Sequence, residues 1–302
     1  MNQEVYHIPA LLAESIEALQ IKPDGIYVDA TYGGGGHSRA IVDRLGPDGH
    51  LYGFDQDEDA VAGAMDDTRF TMVYGNFRYL RNFLRYYGVD SVDGILADLG
   101  VSFHHFDDAD RGFSFRADSR LDMRMNRHAR ISAIDVVNDY TEEQLADILR
   151  LYGELSKSRQ IAKAIVKARS TAKIESVARL IETVEPFIDK RHEKKDLACL
   201  FQALRIEVNG ELSALKQFMQ QALASLKPGG RIAVITYHSL EDRLVKNFFK
   251  AGNFEGRIHT DIYGRSESSL RPVNNKPLTA SEAEVEANPR SRSAKLRVAQ
   301  KL

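Results

Sequence analysis

Residues 26–37 read Ile26-Tyr27-Val28-Asp29-Ala30-Thr31-Tyr32-Gly33-Gly34-Gly35-Gly36-His37, and they give the clearest indication of the fold class. Its first three residues are β-branched or aromatic and follow the turn-forming residues 22–25, so they predict a short buried strand that ends at Asp29. Four glycines follow, and helical spacing resumes at Ser38. A strand, a glycine loop and a helix in this order are typical of a nucleotide-binding α/β unit, because glycine allows positive φ angles and close approach of the backbone to a ligand.

The next predicted strand, residues 50–54, ends at Asp55, which lies 19 residues after Gly36. An acid near this distance can accept hydrogen bonds from the ribose hydroxyls of an adenosine-type ligand. The loop lacks the Gly-Lys-Ser/Thr of NTPase phosphate loops and the Gly-x-Gly-x-x-Gly spacing of dinucleotide sites. An adenosine ligand without a pyrophosphate fits better, and S-adenosylmethionine is the common one.

The composition narrows the class of protein. The 302 residues suffice for about two domains, and 43% of them are hydrophobic. No stretch has the roughly 18 uninterrupted apolar residues of a membrane span, and the N-terminus lacks signal-peptide features. The single cysteine, Cys199, lies in an apolar run and is predicted to be a core residue. The chain is therefore expected to be cytoplasmic, without a membrane partner, and its net charge of −2 requires local patches to hold any nucleic acid.

Strands and helices alternate as far as Asp98, which predicts a mostly parallel sheet with ligand groups at the carboxyl ends of the strands. From residue 132 to 226 only helical periodicity is present, and a strand returns at 231–237. The pattern predicts an α/β domain formed by residues 1–103 and 211–302, interrupted by an all-helical insertion at 104–210. Helices are predicted at 9–19, 79–87, 142–152, 158–169, 176–188, 195–208 and 211–226; residues 70–74, 92–97 and 294–299 are predicted strands, and 265–289 a loop-rich tail.

Seven motifs in chain order identify a family. They are DATYGGGGHS (29–38), FDQD (54–57), LADLGVS (96–102), DRGFSF (110–115), LDMRM (121–125), YHSLEDR (237–243) and NPRSRS (288–293). Together they closely resemble the bacterial 16S ribosomal RNA cytosine-N4 methyltransferases, over nearly the whole chain. The resemblance implies a class I S-adenosylmethionine-dependent, Rossmann-like fold with a helical insertion for substrate recognition. It also implies that the substrate is one cytosine in the decoding centre of the small ribosomal subunit.

The resemblance also assigns cofactor contacts in this chain. Where the relatives usually carry Ser-Pro-Gln, this chain has Phe103-His104-His105, and an imidazole can donate a hydrogen bond as an amide does. The implied cofactor-binding residues are Gly35, Gly36, His37, Asp55, Phe77, Asp98 and His105. From periodicity alone, Phe77 would be a core aromatic residue.

Asp98 and His238 are the catalytic candidates, because they follow the fourth and fifth predicted strands and so face the same crevice as the glycine loop. Which of them accepts the proton is left open. No metal site is predicted, since the histidines and acids of residues 104–110 have no repeated ligand spacing. The basic residues Arg159, Lys163 and Lys167 lie four apart, on one helix face, and are either an RNA phosphate contact or a solvated face.

Two other functions fit parts of the sequence. One is a ribosome-assembly factor that binds RNA and the cofactor without turnover, and the other is a dinucleotide oxidoreductase, which the loop spacing disfavours. The expected partners of the methyltransferase are 16S rRNA and the small ribosomal subunit. The sequence leaves open whether the chain forms a homodimer, and whether naked RNA or the assembled subunit is methylated.

Overall fold

The computed structural model describes residues 9–100, 111–260 and 268–302. The chain divides into two compact units: Met1–Gly100 together with Ser213–Leu302, and Val101–Leu212. The sequence places the corresponding boundaries after residues 103 and 210. The first unit is therefore formed from both ends of the chain, and the second from its middle.

In the described part of the first unit, eight strands form one sheet. They are β1 (Ile26–Asp29), β2 (His50–Asp55), β3 (Phe70–Tyr74), β4 (Val92–Asp98), β5 (Leu226–Thr236), β6 (Leu270–Pro272), β7 (Leu278–Thr279) and β8 (Lys295–Lys301). The order is β3-β2-β1-β4-β5-β8-β6, with β7 also paired to β8. β1 to β5 are parallel, and β8 is antiparallel to its neighbours. The strand order reverses between β1 and β4, which is where α/β sheets bind ligands.

The helices of the described residues are α1 (Leu12–Leu19), α2 (Gly36–Val42), α3 (Glu58–Ala62), α4 (Leu80–Tyr86), α5 (Ala133–Asp139), α6 (Glu142–Leu151), α7 (Ser158–Arg169), α8 (Val177–Val184), α9 (Glu193–Asn209), α10 (Glu211–Ser225), α11 (Ser239–Ala251) and α12 (Glu282–Ala287). Short 3-10 helices span Phe77–Tyr79, Glu185–Phe187 and Pro289–Ser293. None of these helices is long and apolar enough to cross a lipid bilayer.

Helices cover both faces of the sheet, because side chains alternate along each strand. On β5, Ile232 and Val234 join a core with residues of α4, α10 and α11. Ala233 and Ile235 join the core on the other face, with residues of α1 and α2. A sheet buried on both faces explains why the strand sequences are continuously apolar.

The second unit has its own core, contributed by all its helices. Leu149, Ile165, Leu180 and Leu200 are fully buried there, and Cys199 is a free, half-buried thiol packed against them. A capping box begins α6: Thr141 Oγ1 accepts from the Gln144 backbone N–H at 3.2 Å, and Gln144 Oε1 accepts from the Thr141 N–H at 2.8 Å. The all-helical character predicted for this region is confirmed within its described residues.

Several predicted element bounds are wrong, for physical reasons. β5 begins at Leu226, before the predicted start at 231, because Lys227 Nζ binds Asp93 Oδ2 at 2.6 Å and the register shifts between Val92 and Gly94 of β4. α1 begins at Leu12 because Leu11 has a left-handed φ of 53°. The predicted loop 265–289 contains β6, β7 and α12, and elements this short leave little periodic signal in the sequence.

Candidate active site

The carboxyl ends of the parallel strands bring the predicted acids to one edge of the sheet. Asp29 ends β1, Asp55 ends β2 and Asp98 ends β4. The strands remain hydrogen-bonded up to this edge, since Ala30 N–H donates to the Leu96 carbonyl at 2.8 Å. The acids are thus positioned by rigid sheet backbone.

The glycine loop connects β1 to α2 in a shape that needs glycine at position 35. Gly35 has a φ of 76°, and its N–H donates to the Tyr32 carbonyl at 2.8 Å. A Cβ at this position would lie 2.6 Å from the Tyr32 hydroxyl, closer than real contacts allow. A Cβ at Gly34 would meet nothing within 4 Å, so the loop backbone is open to an approaching ligand there.

Asp55 is oriented by the glycine loop, with which it is predicted to bind the same ligand. Its Oδ2 accepts the Gly33 N–H at 2.9 Å, and its Oδ1 accepts the Asp57 N–H at 2.9 Å. The carboxylate also accepts a hydrogen bond from the Gln56 backbone N–H, and it retains acceptor capacity for a ligand hydroxyl. Burial raises the pKa of Asp55 despite these hydrogen bonds. The arrangement fits the bidentate recognition of a ribose.

Asp98 is half-buried and lies in a polar network. Its Oδ1 accepts from the Tyr237 hydroxyl at 2.8 Å, and its backbone N–H donates to Thr31 Oγ1 at 2.6 Å. Among the described residues it has no lysine or arginine partner. Burial raises the pKa of Asp98 to about 6, and the charges of Asp29 and Glu241 act in the same direction. Its carboxylate is therefore predominantly ionised at neutral pH and lacks a balancing strong cation.

Two other acids share this environment. Asp29 is fully buried, with Oδ2 accepting from the Ser38 hydroxyl at 2.6 Å and Oδ1 from the Thr31 N–H at 3.1 Å. Burial raises its pKa. Glu241 is also buried and accepts the Tyr237 N–H at 3.0 Å. A cluster of desolvated acids favours binding of a cation, which fits the sulfonium and amino groups of S-adenosylmethionine.

His37 begins the first turn of α2 with its ring buried against Asp98. Its Nδ1 lies 3.7 Å from Asp98 Oδ2, and its Nε2 has no hydrogen-bond partner within the described part of the chain. Burial lowers the pKa of His37, so the imidazole is neutral near pH 7 and forms no ion pair with Asp98. A buried, unpartnered ring nitrogen at this edge leaves a polar atom available to a ligand.

His238 is held by Glu241. As the N-cap of α11, its Nδ1 accepts the Glu241 backbone N–H at 3.4 Å. Its Nε2 lies 3.1 Å from Glu241 Oε1, although the two are poorly aligned for a hydrogen bond. Because Nδ1 accepts, the neutral ring carries its proton on Nε2. Both ring nitrogens are thus directed at one glutamate.

Phe77 follows β3 at the start of a 3-10 helix and is half-buried. Its ring packs edge-to-face on Phe218, with centroids 5.2 Å apart and an interplanar angle of 73°. Phe218 fixes the ring orientation while part of the ring stays accessible. The candidate contact His105 lies outside the described residues, as do the other residues of 104–110 considered as metal ligands.

The sequence did not single out Tyr237 and Thr31, whose side-chain oxygens bind Asp98. Tyr237 belongs to the YHSLEDR motif, but a tyrosine that ends a strand has no periodic feature that marks a buried hydroxyl. Thr31 lies in the glycine loop after β1, and only the folded structure shows that its hydroxyl accepts a hydrogen bond from the Asp98 N–H at the end of β4.

The sequence profile of the MraW methylase family matches residues 4–302. The "Ribosomal RNA small subunit methyltransferase H" of Parabacteroides distasonis is 61% identical over 298 residues, covering 98% of each chain. The protein of the same name from Bacteroides fragilis is 58% identical over 300 residues, covering 99% of each. Among solved structures, an rRNA methylase from Streptococcus thermophilus superposes with a TM-score of 0.41 at 11% identity, covering 96% of this chain and 93% of that one.

Proposed function

We propose, because the chain belongs to the MraW methylase family, that it methylates 16S rRNA at the exocyclic N4 of one cytosine in the decoding centre. The relatives' shared name supports the RNA of the small ribosomal subunit as substrate. The structural observation that supports this proposal is the half-buried Asp98, which is hydrogen-bonded to Thr31 of the glycine loop and has no lysine or arginine partner among the described residues. An acid in this position suits a cationic methyl donor. A dinucleotide oxidoreductase is disfavoured, because the antiparallel β8 occupies the place of the sixth parallel strand in the dinucleotide-binding order.

The cofactor of this class I methyltransferase is S-adenosylmethionine, which supplies an electrophilic methyl group. In our proposal Asp55 accepts hydrogen bonds from its ribose, and Phe77 contacts the adenine. Gly35, Gly36 and His37 line the turn into α2, and Asp98 faces the positively charged end. His105 remains a proposed contact from the resemblance alone.

The target nitrogen is a poor nucleophile, because its lone pair is delocalised into the cytosine ring. Groups that accept its N–H hydrogen bonds localise this pair and orient it towards the methyl group. In our proposal Asp98 and His238 border the target amine. His238 can accept a proton only after Nδ1 leaves the Glu241 backbone N–H, so Asp98 is the readier acceptor in the observed arrangement.

The target base must be removed from any stack before N4 can be reached, which suits an unpaired or loop nucleotide. Within the described residues of the insertion, α7 carries an exposed row of basic side chains. They belong to Arg159, Lys163 and Lys167 and are termed here the α7 stripe. None of the three forms an ion pair among the described residues. We infer that the protein acts in the cytoplasm, where small ribosomal subunits are assembled.

The proposed function is tested by nucleoside mass spectrometry of small-subunit RNA from cells with and without this protein. We expect N4-methylated cytidine at one position to disappear with the gene and to return when the gene is restored. Purified protein, S-adenosylmethionine and either naked 16S RNA or isolated small subunits then identify the substrate form. Unchanged cytidine methylation in the deletion strain, with no transfer to either substrate, would reject the proposal in favour of an assembly factor without turnover.

A second prediction concerns the α7 stripe. Replacing Arg159, Lys163 and Lys167 with Gln should weaken RNA binding and reduce the slope of log Kd against log salt by about 2, since each phosphate contact on a single strand contributes roughly 0.7. Cofactor affinity should not change. The measurement is fluorescence anisotropy with labelled 16S RNA at several salt concentrations.

The matched control replaces Arg150, Arg179 and Arg191, three exposed cations of the same unit that are each paired with an acid. This control removes the same charge from the insertion but should alter the salt slope much less. Equal slopes for the stripe variant and the native protein would identify the stripe as a solvated helix face.

A further inference from the structure

A second basic and aromatic surface lies on the sheet-containing unit. The side chains of Tyr79, Arg81, Arg85 and Tyr86, at the start and along the outside of α4, are exposed and are termed here the α4 face. The exposed fractions are 49% for Tyr79 and 82% for Tyr86, large for aromatic residues. Aromatic residues normally bury their rings, so two exposed rings beside two arginines require an explanation.

All four side chains are exposed, but helical spacing puts the two tyrosines on one flank of the solvent side of α4 and the two arginines on the other. Tyr79 and Tyr86 are seven residues apart, about two turns, and Arg81 and Arg85 are four apart. The opposite side of α4 is anchored by Leu80 and Leu84, which are almost completely buried. The exposed side of α4 therefore carries rings along one flank and guanidinium groups along the other.

The charge on this surface is not balanced by the fold. Residues 77–88 contain three arginines and no acid. Neither guanidinium of Arg81 and Arg85 makes an ion pair or hydrogen bond among the described residues; only the Arg81 backbone N–H is bound, by Gln221 Oε1 at 2.9 Å. Like charges four apart destabilise a helix slightly, so helix stability does not account for the two arginines.

The two tyrosine rings make few contacts within the described residues. Tyr79 has no ring or hydrogen-bond partner there, and Tyr86 touches only the edge of Tyr87, with centroids 5.2 Å apart. Exposed rings on the same short helix as unpaired cations are the chemistry of surfaces that bind single-stranded nucleic acid: bases stack on the rings and phosphates contact the cations.

We propose that the α4 face binds an unpaired segment of RNA. The proposal rests on the proposed function in that the RNA would be the rRNA substrate, but its contacts are separate from the α7 stripe and from the cofactor site. The position in the chain is suitable, because Tyr79 follows the cofactor candidate Phe77 by two residues. The unbalanced positive charge favours RNA over a second copy of this chain, whose net charge is only −2.

The test uses a short, labelled, unstructured oligoribonucleotide and fluorescence anisotropy at about 50 to 200 mM salt. Tyr86→Ala should weaken binding roughly 5- to 150-fold, the range for loss of one stacked base, whereas Tyr86→Phe keeps the ring and should bind normally. Arg81→Gln with Arg85→Gln should reduce the salt slope by about 1.4. The charge-matched control is Lys246→Gln with Lys250→Gln, two exposed lysines four apart on α11 of the same unit.

Loss of binding in Tyr86→Ala with rescue by Tyr86→Phe, at unchanged S-adenosylmethionine affinity, supports the proposal. Native affinity and salt slope in all α4 variants overturn it. A change in sedimentation coefficient without a change in RNA affinity also overturns it, by identifying the face as a protein interface. Because binding is measured without turnover, failure of the proposed methylation would leave a positive binding result intact, and the two proposals are judged separately.

Discussion

Replacing Asp98 with Asn is expected to lower the affinity for S-adenosylmethionine by roughly 30- to 150-fold, about 2–3 kcal/mol. The substitution keeps the shape but removes a half-buried charge that has no lysine or arginine partner among the described residues. We expect single-turnover methylation at saturating cofactor to stay within about tenfold of the native rate, because binding dominates the role of Asp98. Calorimetry gives the affinity, and rapid-quench methylation gives the rate.

The alternative role has a different kinetic signature. If Asp98 mainly orients the target amine or accepts its proton, kcat falls by roughly 10²–10⁴ while cofactor affinity is kept. That result would contradict the binding role. His238→Gln is the companion variant, because it removes the other catalytic candidate without altering the charge of the acid cluster.

The pH dependence of cofactor affinity and of the free energy of unfolding provides a control for the Asp98 variant. With its pKa raised to about 6, Asp98 takes up a proton as the pH falls through 6, so cofactor affinity should decline on the acid side of that value. The folded protein also binds this proton more tightly than the unfolded chain, so ionising Asp98 lowers the free energy of unfolding as the pH rises from about 4 to 6. Asp98→Asn should remove both dependences and raise the Tm of the cofactor-free protein at neutral pH.

Asp55→Ala should weaken S-adenosylmethionine binding by a similar amount, about 2–3 kcal/mol, through loss of paired hydrogen bonds to the ribose. The same change frees the N–H groups of Gly33 and Asp57, so part of the loss reflects a looser loop. Asp55→Asn separates the contributions, because it keeps one acceptor oxygen. Isothermal calorimetry with S-adenosylhomocysteine, which has the same ribose but no sulfonium, measures the ribose contribution directly.

Asp59→Ala is the matched control for Asp55, since it removes an exposed acid from the same segment. It should leave the affinity unchanged. Native affinity in Asp55→Ala would place the ribose elsewhere and would remove the main support for the predicted adenosine site.

The sheet was predictable because its strands are apolar, short and separated by clear turns, and β1, β3 and α7 lie within one residue of the predicted bounds. The tail was not, because β7 has two exposed residues and gains its strand pairing only from β8. A break was also missed in the helix predicted at 176–188: α8 ends at Val184, where Pro186 brings in a 3-10 turn.

The candidate site likewise has features that the sequence predicts and features that it does not. Asp55 and Asp98 follow strands, so their shared edge could be inferred from chain order. The raised pKa of Asp98 could not, because it arises from burial and from Asp29 and Glu241, which are 69 and 143 residues away in sequence. The engagement of His238 by Glu241 likewise depends on the N-cap geometry of α11 and not on residue type.

The division of the sheet between the two ends of the chain has a consequence for biosynthesis. β4 ends at Asp98, and its neighbour β5 begins only at Leu226. At roughly 5–20 residues per second, a ribosome needs on the order of 6–25 s to synthesise the intervening chain. During this interval the nascent β4 presents an apolar edge with unpaired backbone groups, the kind of edge that promotes aggregation. The insertion lies between β4 and β5 in the chain, has its own core and emerges in that same interval. It can therefore fold before the sheet is complete.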